Sequence, residues 1–85
     1  MNNQILPPHA DHHIDAKGLK CPMPVIKLQQ QVRKSQAGES IQIECTDSSA
    51  EQDITSWAKV NKHFIQKIEQ TAFGCVILLI IKEKT

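Results

Sequence analysis

The sequence predicts an α/β (α+β) two-layer sandwich of order β-α-β-α-β-β, a four-stranded mixed sheet with two helices on one face. Three observations predict it. Two stretches with apolar residues at helical spacing are interleaved with short apolar or alternating runs. Strands that alternate with helices are joined by crossovers, so some neighbouring strands pair in parallel. The last two strand-like runs lie close enough in the chain to form a hairpin. With 85 residues the chain has room for one small domain and one modest core.

Residues 1–10 are expected to be a flexible tail, because they include Pro7-Pro8 and show no periodic pattern. Residues 11–85 are expected to be a single domain. His12-His13-Ile14-Asp15 is a weak short strand, and Gly18 breaks the chain after it. From Met23 to Gln36 the spacing is helical: Val25, Leu28 and Val32 fall at i, i+3 and i+7, and Gly38 is the expected stop. Ile41-Gln42-Ile43-Glu44-Cys45 alternates with one apolar face. Thr46-Asp47-Ser48-Ser49 supplies a turn and an N-cap for a second helix. Its stripe is Ala50, Ile54, Trp57, Ala58 and Asn61, and it should end near His63. Phe64–Gln70 reads as an irregular strand, Phe73-Gly74 as a turn, and Cys75–Ile81 as the strongest strand, closed by Lys82-Glu83-Lys84. That last strand is apolar on both faces. It requires either a cover over the open face, by the tail or a partner, or a central position in the sheet.

Composition narrows the function. The formal net charge is +1, so bulk charge draws the molecule to neither nucleic acid nor membrane. The start Met1-Asn2-Asn3-Gln4 lacks the basic and apolar regions of a signal peptide. The Cys75–Ile81 run is too short to span a bilayer as a helix. A cytoplasmic protein with no direct nucleic-acid or membrane partner is expected. The three cysteines, at 21, 45 and 75, are odd in number and without paired spacing. They argue against a disulfide framework and for a reducing compartment.

The chemistry points to Cys21, in Gly18-Leu19-Lys20-Cys21-Pro22-Met23-Pro24. Proline suits a first helical turn, where its missing N–H would have no partner. Cys21 therefore stands at or just before a helix N-terminus, where free N–H groups and the helix dipole favour an anion. Lys17 and Lys20 add positive charge, and residues 17–34 contain no Asp or Glu. A lowered thiol pKa is expected. Pro22 and Pro24 hold the turn rigid, and Gly18 permits it. A buried structural cysteine is the alternative, but a position between lysine and two prolines is not an ordinary core site. Cys45, in phase with Ile41 and Ile43, and Cys75, opening an apolar strand, read as core.

The remaining candidates read as structural. His9, His12 and His13 lack a complete ligand set, so no metal and no cofactor is expected. His63 suits a helix C-terminus, Asp47 a turn and Asp53 a first helical turn; the two aspartates do not read as an acid/base pair. Lys20 and Lys27 are either ordinary solvated residues or a docking surface for an acidic partner.

Asp15-Ala16-Lys17-Gly18-Leu19-Lys20-Cys21-Pro22-Met23-Pro24 is similar to the signature of the TusA family, also called SirA-like. The resemblance continues through Gly38-Glu39, Asp47 and Asp53-Ile54 and covers about residues 12–83. Gly-Leu followed by Cys-Pro-x-Pro is its specific part. It implies the β-α-β-α-β-β sandwich already read from the pattern. It also implies a sulfurtransferase that carries sulfane sulfur as a persulfide on Cys21, with Gly18, Leu19, Pro22 and Pro24 supporting the motif. The implied partners are a cysteine desulfurase or other persulfide donor, and a DsrE-type or other acceptor protein, in one branch toward tRNA thiolation. Here Thr46-Asp47-Ser48-Ser49 stands where that branch has an Asp-Pro pair, and Gln29-Gln30-Gln31 replaces a more basic helix face. The competing reading, from a different class, is a non-catalytic protein-binding or regulatory module whose Cys-Pro-x-Pro turn only shapes a helix start.

Overall fold

The protein, seen in a computed structural model, is described over residues 10–81. The expectations for residues 1–9, His9 included, and for Lys82-Glu83-Lys84 lie outside the described residues. The elements are β1 (His12–Ala16), α1 (Met23–Lys34), β2 (Ser40–Cys45), α2 (Ala50–Val60), β3 (Phe64–Gln70) and β4 (Cys75–Ile80). The order is the expected one, and the sheet runs β1-β2-β4-β3. β1 and β2 are parallel, with Ala16 beside Cys45. β4 is antiparallel to both β2 and β3, and a register shift between Ile65 and Lys67 accounts for the irregularity of β3.

The core lies between the sheet and the two helices. Ile41, Ile43, Cys45, Ile77 and Leu79 from the central strands meet Leu28 of α1 and Ile54 of α2, all almost fully buried. Each large aliphatic among them contributes about 1.5–3 kcal/mol through removal from water. Trp57, expected in the core, is only partly buried against it. The doubly apolar β4 is explained by its central place. Ile77 and Leu79 face the helices, while Val76, Leu78 and Ile80 are half-buried on the open face. Glu44 and Glu69 flank Val76, and Gln42 and Lys67 flank Leu78, in the neighbouring strands.

Both helices end earlier than the pattern suggested. α1 stops at Ser35, whose backbone is extended and whose hydroxyl donates to the Gln31 carbonyl at 2.7 Å. Gly38, at φ +95°, serves the following turn rather than the helix stop. α2 closes with Lys62 in the left-handed region at φ 65°. The Lys62 and His63 N–H groups donate to Lys59 and Ala58, the paired bonds of a Schellman end. His63 is thus carried past the helix, and its ring lies 5.2 Å from that of Trp57. Packing against an aromatic side chain describes it better than a helix-dipole role.

Gly74 is required by close approach. A Cβ there would run into the Cys45 carbonyl oxygen and the Thr46 Cα, both backbone atoms. Gly74→Ala should therefore lower stability by about 1–3 kcal/mol, the usual cost of overfilling a packed position. Urea unfolding followed by circular dichroism measures it, and an unchanged midpoint would contradict the close packing of this corner.

Candidate functional site

Because β1 and β2 run parallel, the segments that leave their C-terminal ends meet at one edge of the sheet. The loop after β1 carries Cys21, and the turn after β2 carries Thr46, Asp47 and Ser49. Gly18, at φ +81°, makes the bend that few other residues would tolerate. Its N–H donates to Thr46 Oγ1 at 2.9 Å. The Leu19 N–H closes back on the Ala16 carbonyl at 3.2 Å, and the Leu19 side chain packs on the core. The Cys21 N–H reaches Asp47 Oδ2 at 3.4 Å. Pro22 is the N-cap of α1, and its peptide with Cys21 is cis. Pro24, two residues on and inside the first helical turn, is fully buried and pins the helix start to the core. The motif residues Gly18, Leu19, Pro22 and Pro24 thus each hold part of one loop, with Cys21 exposed at its tip.

The electrostatics differ from the sequence expectation. The Cys21 thiol is raised, not lowered, from its ordinary value of 9.0. A hydrogen bond to the Asp53 carboxylate is the main cause, followed by partial loss of water around the sulfur and the negative charges of Asp53 and Asp47; Ser49 opposes them. Two features that should have favoured the anion are spent elsewhere. Pro22 and Pro24 have no N–H, and that of Met23 is donated to the Lys20 carbonyl at 2.8 Å. The Lys17 ammonium lies 3.2 Å from Asp15 and 3.5 Å from Glu44, and its hydrogen bond with Asp15 raises its pKa. Asp47 is held below the usual carboxylate range, chiefly by the Ser49 hydroxyl at 2.8 Å, and its attraction to Lys20 lowers it further.

Asp47 and Asp53 were expected to be structural only, and the fold gathers both around Cys21. Ser49 precedes α2 as expected, but its hydroxyl bonds Asp47 and makes no side-chain cap. The signal available in the sequence was the family resemblance at positions 47 and 53; periodicity alone places Asp53 no nearer to Cys21 than any other residue of α2. Lys20 is exposed beside the loop. Lys27 is exposed too, in a separate depression that it shares with His13, Asp15, Gln30 and Lys34. The His12 Nε2–H donates to the Glu39 carboxylate at 2.9 Å, while His13 is exposed. Among the described residues no group of three His, Cys, Asp or Glu side chains could hold a metal ion. None of the described helices is long and apolar enough to cross a membrane. Cys45 and Cys75 are buried, and burial pushes the Cys45 thiol up to about 12.

Among the described residues one thiol is exposed, at a helix start on a small two-layer α+β domain, and the other two are buried. The chain belongs to the sulfurtransferase TusA family, whose model matches residues 12–82. It is 34% identical over 68 residues to YrkI of Bacillus subtilis (strain 168), provisionally named a sulfur carrier protein; the match covers 80% of this chain and 88% of that one. YrkF of the same organism, with the same provisional name, is 42% identical over 50 residues, covering 59% of this chain and 27% of that one. A provisionally named sulfur carrier of Aquifex aeolicus (strain VF5) is 37% identical over 60 residues, covering 71% of this chain and 30% of that one. The chain therefore spans under a third of the length of these last two relatives. The crystal structure of a SirA-like protein from Desulfitobacterium hafniense superposes with a TM-score of 0.74 at 20% identity, over 85% of this chain and 99% of that one, and shares the fold. The family and these relatives support a sulfur-carrier role.

The geometry makes Cys21 the first of the three thiols to be alkylated by iodoacetamide at neutral pH, because the other two are buried. Its rate should rise with pH through a midpoint above that of an ordinary cysteine thiol, and Asp53→Asn should move that midpoint down. Peptide mapping against pH reads both. A midpoint at or below that of an ordinary cysteine thiol, unchanged by Asp53→Asn, would contradict the carboxylate's hold on the thiol.

Proposed function

We propose that the protein is a sulfurtransferase that accepts sulfane sulfur as a persulfide on Cys21 and passes it to an acceptor protein thiol. The observation that carries this reading is the exposure of Cys21 on a turn braced by Gly18, Leu19, Pro22 and Pro24. Thiol exchange needs an unhindered sulfur that stays in one place. The Cys21 sulfur attacks the terminal sulfur of a donor persulfide. A new S–S bond forms on Cys21 as the donor's S–S bond breaks, and the donor leaves as a thiolate. An acceptor thiolate then attacks the outer sulfur and frees Cys21.

The carboxylates give these steps a direction. The resting sulfur is mainly a protonated thiol at neutral pH, kept so chiefly by the Asp53 carboxylate. Asp53 is thereby placed to take the proton as the sulfur attacks, in the manner of a general base. Once loaded, the persulfide anion faces Asp53 and Asp47, and that repulsion opposes storage and favours hand-over. The family supports a sulfur donor and an acceptor protein; in this reading the donor is a cysteine desulfurase or other persulfide source and the acceptor a DsrE-type or other protein. tRNA thiolation is one destination such a relay serves. Lys20 and Lys27 are exposed and suited to steering an acidic partner.

Incubation with a cysteine desulfurase and cysteine should add about 32 Da, one sulfur, removable by a thiol reductant. Intact mass spectrometry measures the gain. Cys21→Ser should show none, while Cys45→Ser and Cys75→Ser should still load and Pro24→Ala should load more weakly. A Cys21→Ser protein that still gains the sulfur would place the carrier elsewhere.

A further inference from the structure

Cys45 and Cys75 have no part in the carrier chemistry, yet the fold sets them together. They are separated by 29 residues in the chain, and they are direct partners in the antiparallel pairing of β2 and β4. Both side chains are buried, at 1% and 4% exposure, and both are free thiols. Directly opposed antiparallel residues have Cα atoms about 4.5 Å or 5.5 Å apart, according to their place in the ladder. Both values fall inside the roughly 4.4–6.8 Å that a disulfide spans. A negative charge on Cys75 adds to the raised Cys45 pKa, as two near sulfurs require. Access is one-sided: Cys75 forms part of the wall of a surface depression with Thr46, Asp47, Glu51, Gln70 and Phe73.

We infer that Cys45 and Cys75 form a redox-active dithiol that closes to a cross-strand disulfide with a low-molecular-weight disulfide as oxidant. Cys75, at the depression, loses its proton and attacks one sulfur of the oxidant, releasing one small thiol and leaving a mixed disulfide. Cys45 then loses its proton and attacks the Cys75 sulfur, releasing the second small thiol. Two protein thiols are oxidised by two electrons, and one small disulfide is reduced to two thiols. Asp47 and Glu51 in the depression favour a cationic oxidant. The site adjoins the carrier loop, since Cys45 directly precedes Thr46 and Asp47, which receive the Gly18 and Cys21 N–H groups. Burial keeps both thiols protonated at neutral pH, so closure should be slow there and quicken as pH rises.

The test uses the full-length Cys21→Ser protein, folded, with cystamine at about pH 8.5, where thiolate is more available. The expected product is a monomer lighter by about 2 Da, with one peptide joining Cys45 to Cys75, restored by dithiothreitol. Adding Cys45→Ala, in a protein shown by circular dichroism to fold, should stop the reaction at a mixed disulfide on Cys75, heavier by about 75 Da. Two results would overturn the inference: a folded Cys21→Ser protein that keeps both thiols while the urea-unfolded protein is oxidised, or one that stops at a stable mixed disulfide with Cys45 still free. Should the double variant not fold, the single variant's product decides the question alone.

Discussion

The parallel pairing of β1 with β2 is the constraint on which the site depends. Parallel strands end on the same side of a sheet, so the loop after Ala16 and the turn after Cys45 must emerge together. Two polar contacts then lock loop to turn, Gly18 to Thr46 and Cys21 to Asp47. An antiparallel arrangement of the same two strands would send the turn to the far end of the sheet and leave Cys21 without carboxylate neighbours. Parallel pairing in turn requires a crossover, and α1 provides it, anchored at its start by the buried Pro24 and along its length by Leu28 and Val32. The start of the helix and the exposed Cys21 are thus neighbours for one reason.

The electrostatics of Cys21 show how a local rule yields to a tertiary one. A helix N-terminus favours an anion through unpaired N–H groups and an aligned dipole, an effect that fades beyond the first turn. Here prolines remove two of those donors and a backbone bond occupies a third. A hydrogen bond from a thiol to a carboxylate, by contrast, directly stabilises the protonated form. With the Asp53 carboxylate acting on the sulfur and Asp47 at the Cys21 amide, the second influence wins. Under the proposed carrier role, such an environment suits transient possession of sulfur rather than tight retention, because the loaded and the reactive forms both carry negative charge.

Much of the fold was legible because its signals are local. The alternation of Ile41, Ile43 and Cys45, the spacing of Leu28 and Val32, and the unbroken apolar run from Cys75 each report the face that must be buried. Helix ends were less legible. Gly38 and His63 looked like terminators, but Ser35 ends α1 through its own hydroxyl, and Lys62 adopts a left-handed conformation that its residue type does not announce. Trp57 fell on the apolar stripe of α2 and proved only partly buried against the core.

By itself, the sequence determined the order of elements, the membership of the core and the position of Cys21 on a stiff turn before a helix. Those properties depend on periodicity and on the fixed φ of proline, which act over a few residues. Only the tertiary structure decided what surrounds the sulfur. Asp53 lies 32 positions from Cys21, and Cys75 lies 30 from Cys45. Each pair is brought together by strand pairing and helix docking, and the resulting shifts in acidity depend on separations across space that no local pattern encodes.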